Sequence, residues 1–210
     1  NIDLIYALPN QTIKDLKNDL TKIVKINPTH ISIYSLIIEP NTVLFNKKIK
    51  NIDSDLDSDM YQEIISTLKS NDYNFSKPGY ESLHNLNYWN NNFYYGIGLG
   101  ASGYINNIRY TNTRSINNYL KGIYILEEEI ISTKDDIIYE MILGLRKVKG
   151  INFNSFKNKF NKDLDKLFDI NTLKEKKLIE ISNNNIYIPE DKLYISNEIM
   201  LNFMEVKDEK

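Results

Sequence analysis

The sequence predicts an α/β fold in its front part and a small helical, winged-helix-like domain in its back part. Three observations carry this. Residues 1–70 alternate strand-like and helix-like runs, which calls for a parallel sheet. Residues 71–115 are rich in Asn, Gly and Tyr and hold only short strand-like pieces. From about residue 133, three helix-like stretches lead into a hairpin-like one. A boundary is expected near residues 125–135, giving domains 1–125 and 126–210.

Each element follows from local chemistry. Residues 2–8 read as a buried strand carrying one charge, Asp3, and Pro9-Asn10-Gln11 breaks it. Thr12 and Asp15 form a capping-box pattern, followed by Ile13, Leu16, Leu20, Ile23 and Val24 at helical spacing. Asn27-Pro28 ends that helix. Residues 30–38 form an apolar β-rich run of the kind found in parallel strands buried on both faces. Leu56, Met60, Ile64 and Leu68 mark the next helix at i, i+4 spacing. Strand-like pieces are expected at 94–99 and 109–111, with a short helix near 117–123. Glu127-Glu128-Glu129 reads as a solvated lead-in to a helix that Thr133 and Asp136 open. Asn183-Asn184-Asn185 turns a hairpin, and a last amphipathic helix starts near Ser196.

The totals exclude several function classes. Among 210 residues, 41% are apolar and 26% charged, enough for a real core, and the net charge of −2 gives no footprint for nucleic acid. No apolar run reaches the length of a membrane span. There is no cysteine, so the chain offers no disulfide, thiolate zinc site or thiolate-held iron–sulfur cluster. A cytoplasmic location fits these features. The chain opens without Met inside a strand-like run, and Asn1 is not the start expected of a natural protein. The chain reads as a fragment, or the ordered part of something longer.

The most informative stretch runs from Lys77-Pro78-Gly79-Tyr80-Glu81-Ser82 through His84-Asn85-Leu86-Asn87-Tyr88-Trp89. It holds one of the two histidines and the only tryptophan. An imidazole is a standard axial haem ligand, and flat rings beside it suit a planar iron-containing ligand. On residues alone, the first reading of His84 is a loop histidine hydrogen-bonded within the fold, with Trp89 as a core plug, and the ligand reading comes second. His30, at a strand start, reads as structural. Asp3 reads as a carboxylate hydrogen-bonded to a neighbouring loop, because an unpaired buried charge is costly. The run Gly96-x-Gly98-x-Gly100-Ala101-Ser102-Gly103 reads as a tight sheet-edge turn, since it does not link a strand to a helix in a dinucleotide unit. Arg109 and Arg114 are candidate partners for carboxylates such as porphyrin propionates.

The Lys-Pro-Gly-Tyr-Glu-Ser…His-Asn-Leu-Asn-Tyr-Trp run resembles the radical SAM oxygen-independent coproporphyrinogen III oxidase-like family, in particular its haem-chaperone branch. The resemblance covers essentially the whole chain but only the back part of the family's protein. It implies a partial (β/α)6 barrel followed by the winged-helix-like domain. Ile2-Asp3-Leu4-Ile5-Tyr6-Ala7-Leu8-Pro9-x-Gln11-Thr12 is similar to a barrel strand of relatives whose aspartate and following isoleucine contact S-adenosylmethionine. That implies such roles for Asp3 and Ile5. The run from Ser32 to Pro40 resembles the next strand, which implies that Ile37 lies against the adenosine. His84, Tyr88 and Trp89 are implied as haem contacts, with His84 on the haem iron.

The chain departs from the family's pattern in four places. The cysteine loop that binds the [4Fe–4S] cluster is absent, as are the early barrel strands, so radical chemistry is not expected of the chain alone. Ala7 stands where relatives have Gly. Tyr73-Asn74-Phe75 runs almost directly into Ser76-Lys77, where relatives carry a further strand. Ser102-Gly103 replaces a His-Ser pair. What the resemblance implies is a protein that uses S-adenosylmethionine and the cluster, binds haem and hands it to haem-accepting proteins, including transient membrane haem-protein partners. The alternatives are the oxidase itself, which decarboxylates porphyrinogen propionates, and a winged-helix nucleic-acid-binding module. The interrupted basic cluster Lys174, Lys176 and Lys177 argues against the last, and no nucleic-acid partner is expected.

Overall fold

The computed structural model of the chain describes residues 1–71, 76–77 and 79–207. The shortened stretch at 73–75 and Pro78 lie outside these. The chain divides into two compact units, residues 1–82 and 83–210. The sequence reading puts the division near 125 instead. There, however, strand pairing continues without a break, as described below.

In the first unit, β1 (Ile2–Tyr6) and β2 (Ile31–Ser35) pair in parallel, with Asp3 opposite Ser32 and Ile5 opposite Tyr34. Between them runs α1 (Ile13–Ile26), so strand–helix–strand is realised as read. The capping box forms: the Asp15 N–H donates to Thr12 Oγ1 at 3.2 Å, and the Thr12 N–H donates to the Asp15 carboxylate at 3.0 Å. These bonds from Thr12 hold the Asp15 carboxyl below its usual range. Asn27 closes the helix in the left-handed conformation. A short α2 (Val43–Asn46) precedes α3 (Ser54–Lys69), whose Met60, Ile64 and Leu68 are buried with Leu16 and Leu20 of α1.

The helices cover only one face of this two-stranded sheet. Leu4, Tyr6 and Ile31 point into the core, while Asp3, Ile5 and Tyr34 are exposed. This corrects the expectation of burial on both faces. The period of two sends alternate residues to opposite sides, and nothing among the described residues of this unit covers the second side.

In the second unit, α4 (Leu83–Trp89) leads into the glycine-rich run. A meander follows: β3 (Ser102–Ile105), β4 (Ile108–Asn112), the short α5 (Ile116–Leu120) and β5 (Ile125–Ile130), in sheet order β3-β4-β5. Asn106 and Asn107 both take positive φ, 50° and 61°, which is the mirror-image turn that suits a two-residue hairpin. Glu127-Glu128-Glu129 is therefore strand and not a helix lead-in. β5 lies at the sheet edge and is exposed along its length, so both faces tolerate carboxylates. Of the run at 94–99, only Tyr94 bridges to the sheet, opposite Tyr104.

The chain then forms α6 (Thr133–Gly144), β6 (Ile151–Asn152), α7 (Phe153–Phe160), α8 (Leu164–Leu167) and α9 (Ile170–Glu175). The N-cap of α6 is Ser132, with Asp135 completing the box, one residue before the position read from sequence. The hairpin β7 (Glu180–Ser182) and β8 (Asn185–Tyr187) turns on Asn183 and Asn184, both at positive φ. β6 adds to β8, giving sheet order β6-β8-β7. α10 (Ser196–Met200), flanked by 3-10 turns at Glu190–Ile195 and Leu201–Phe203, closes the chain. One apolar core joins these elements, with Met141, Phe156, Phe168, Ile186 and Phe203 fully shielded.

Candidate functional site

The residues singled out by sequence fall into two groups, one in each unit. In the first unit, Asp3 and Ile5 project from the open face of β1, and Ile5 is 50% exposed. Asp3 is not buried, and its Oδ1 accepts a 2.7 Å hydrogen bond from Asn1 Nδ2. Ile37 lies just past the end of β2 and is 67% exposed. The face thus carries a carboxylate beside uncovered apolar side chains and the Tyr34 ring. The strand leaves the sheet through Ala7, which is buried at φ 60°. That left-handed conformation is costly for a residue with a Cβ and explains why glycine suits this position.

In the second unit, α4 presents His84, Tyr88 and Trp89. His84 is exposed, whereas Tyr88 and Trp89 are half-buried. His84 and Tyr88, one turn apart, meet edge to face with ring centroids 4.7 Å apart. Tyr88 in turn meets Tyr94 edge to face at 4.5 Å. The imidazole therefore stands on a surface, backed by a chain of rings that runs into the β3–β5 sheet. The His84 ring is exposed to solvent.

The support beneath these rings is polar and dense. Burial pushes the Tyr94 phenol above its usual range, and the positive charge of Arg109 pulls the other way. Arg109 is not a solvated arginine. Its guanidinium lies 4.2 Å from the Tyr104 ring centroid and 3.9 Å from that of Tyr139. Its Nη2 donates to Asn91 Oδ1 at 2.9 Å, and Asn91 Nδ2 donates to Asp136 Oδ1 at 2.6 Å. Arg109 thus has its partners inside the protein, and reading it as a propionate ligand is not favoured.

The glycine run is a turn folded onto the same sheet, as its spacing predicts. The Gly96 N–H donates to the Tyr110 hydroxyl at 2.8 Å, and the buried Asn112 amide donates to the carbonyls of Gly96 and Gly98. At Gly103 an added Cβ would lie 2.2 Å from the Tyr110 ring, so only glycine lets that ring close over β3. A cleft of about 440 Å³ lies against the sheet, lined by Tyr94, Ser102, Arg109 and Thr111 together with Glu127 and Glu129. Arg114, the other arginine considered, is an exposed residue beside this turn.

His30, read as structural, faces Ser76, with Nδ1 within hydrogen-bond reach of Oγ. Burial pushes its pKa below the ordinary value. No helix among the described residues is long and apolar enough to cross a membrane, and no cluster of potential metal-ligating side chains occurs among them.

The HemN C-terminal domain family matches residues 131–191, beginning at the start of α6. The heme chaperone HemW of Lactococcus lactis subsp. lactis is 38% identical over 97% of the chain and 58% of its own length. The heme chaperone HemW of Bacillus subtilis is 34% identical over the same shares. Over nearly its whole length the chain is similar to the HemW heme chaperones, and its residues 131–191 match the HemN C-terminal domain family. It spans about 58% of the length of these curated relatives. The solved structure of coproporphyrinogen III oxidase (HemN) from Escherichia coli, a radical SAM enzyme, superimposes with a TM-score of 0.77 over 97% of the chain and 54% of its own. At 19% identity that likeness speaks for the fold alone.

Within this HemN-like fold, sequence reasoning missed the Arg109–Asn91–Asp136 link. One signal for Asn91 was available. An asparagine just past a helix is a common left-handed terminator, and Asn91 ends α4 at φ 51°. Nothing local marked Arg109, because its partners come from four separate segments.

Proposed function

We propose that this chain binds haem through α4, with His84 as the iron ligand and Tyr88 and Trp89 against the porphyrin, in the service of haem delivery to haem-accepting proteins. The observation that carries this reading is the exposed His84 imidazole braced edge-on by Tyr88. A neutral imidazole offers a ring nitrogen lone pair to iron, and its brace limits the rotamers lost on binding. An open site suits cargo that must leave again. Transient contact with membrane haem proteins fits such a role.

The open face of the β1–β2 sheet is the proposed surface for S-adenosylmethionine. Asp3 would accept hydrogen bonds, and Ile5 and Ile37 would supply apolar contact to the adenosine. The residues present suit such a ligand, because a carboxylate and uncovered aliphatic groups share one accessible side. Bound there, the cofactor would supply a sulfonium centre. The chain has no cysteine and so contributes no thiolate to a [4Fe–4S] cluster. The back part, with helices over the β6-β8-β7 sheet, we read as a winged-helix-like domain that supports the haem helix.

A haem titration followed by the Soret band, on the chain and on His84→Ala, tests the reading. Saturable binding weakened at least about tenfold by the substitution is expected, the loss of one iron–ligand bond being worth more than about 1.4 kcal/mol. Equal affinity of the two proteins would overturn it.

A further inference from the structure

We infer that Arg109, Asn91 and Asp136 are positioning residues for the haem helix, through which the domain that begins at α6 sets where His84 stands. The inference rests on the haem reading above and goes beyond it, assigning a function to residues that touch no ligand.

The geometry forms a continuous chain. Asp136 sits in the first turn of α6 and accepts from Asn91 at 2.6 Å. Asn91 is 6% exposed and ends α4. Its amide oxygen accepts from Arg109, so the two ends of one side chain are committed to two elements. Arg109 is clamped between Tyr104 of β3 and Tyr139 of α6, and it lines one cleft with Tyr94. Tyr94 meets Tyr88, and Tyr88 meets His84. A second tie joins the same helix end, where Lys147 Nζ donates to Asn90 Oδ1 at 2.8 Å.

The energetics favour a positioning role over a merely space-filling one. α4 has only seven residues and no fully buried side chain, so it cannot hold itself by an apolar stripe. It is anchored by directional contacts. Hydrogen bonds to charged groups in a shielded setting fix angle as well as distance. Arg109 Nε is buried with no hydrogen-bond partner among the described residues, a cost the guanidinium accepts in exchange for its two ring faces. A planar ion pinned by two rings and a hydrogen bond to Asn91 has little freedom to drift.

The chain's only tryptophan, Trp89, lies on α4 and reports its docking without any ligand. Asn91→Gly removes the amide and still allows the left-handed φ; Arg109→Lys keeps the charge and loses the planar fork. Each variant is measured twice, by acrylamide quenching of Trp89 without haem and by Soret titration with haem. Expected for both variants are unchanged far-UV dichroism, greater Trp89 quenching and haem affinity lowered about tenfold, the scale of one lost charge-assisted hydrogen bond. His84→Ala should lower haem affinity with Trp89 quenching unchanged. Greater Trp89 quenching with haem affinity intact would overturn the inference by making the network structural only. Unchanged quenching in both variants would also overturn it. If His84→Ala itself keeps full haem affinity, the haem reading fails first, and that single result identifies the cause.

Discussion

Two regions of the second unit differ in how they are held together. Residues 137–203 share one apolar core, with Met141, Phe156, Phe168, Ile186 and Phe203 almost fully shielded. Residues 83–130 bury few large apolar side chains, Tyr104 being the main one. They rely instead on tyrosine edges, amide bridges, a stacked arginine and glycines that admit close approach. The apolar core is non-directional and tolerant of small shifts, while the polar segment depends on angles. The candidate haem helix belongs to the second kind. The proposed haem helix is thus mounted on directional contacts, next to a core that supplies stability.

The comparison can be broken by substitution in each region. The largest expected effect is Phe156→Ala in the core, which should cost about 3–5 kcal/mol in denaturant unfolding. A cost below about 1 kcal/mol would deny that this core carries the unit. Next comes Gly103→Ala in the polar segment. Its Cβ would meet the Tyr110 ring, and a loss of about 1–3 kcal/mol is expected, with Trp89 emission altered before global unfolding. Emission that changes only with global unfolding would show that the segment has no independent response.

A smaller effect of opposite sign is expected in the first unit. Ala7→Gly relieves a left-handed alanine and should raise stability by about 0.5–1 kcal/mol, read as a higher melting temperature. A fall would show that the methyl packing outweighs the strain. Smallest is the pH response of His30. Burial lowers its folded pKa below the unfolded value near 6.5, so the unfolded state binds the proton more tightly. Stability should therefore fall as pH drops through about 6.5 towards the lower folded pKa. His30→Gln should flatten that slope, and an unchanged slope would assign it elsewhere.

The same contrast explains what the sequence revealed. The α1 cap at Thr12 and Asp15, the stripe Met60–Ile64–Leu68 and the hairpin on Asn183-Asn184 were legible because each is set by residues within a few positions. The position of Glu127-Glu128-Glu129 in β5 was not, because charge on an exposed edge strand erases the alternation that marks half-buried strands. The Asn106-Asn107 turn carried the same signal as the later hairpin, hidden by the surrounding glycines and asparagines. The open face of β1 could not be read from its apolar residues, since what covers a strand is settled by other segments. His84 was singled out by residue type, whereas the Arg109 network is long-range and had no local mark.

The most direct test of the central claim is an imidazole rescue. Ferric haem is bound to the chain, to His84→Gly, and to His84→Gly with added imidazole, and the axial ligand is read by electron paramagnetic resonance. The account predicts a nitrogen-ligand signature in the first, its loss in the second and its return in the third. A nitrogen-ligand signature that survives in His84→Gly without imidazole would contradict it.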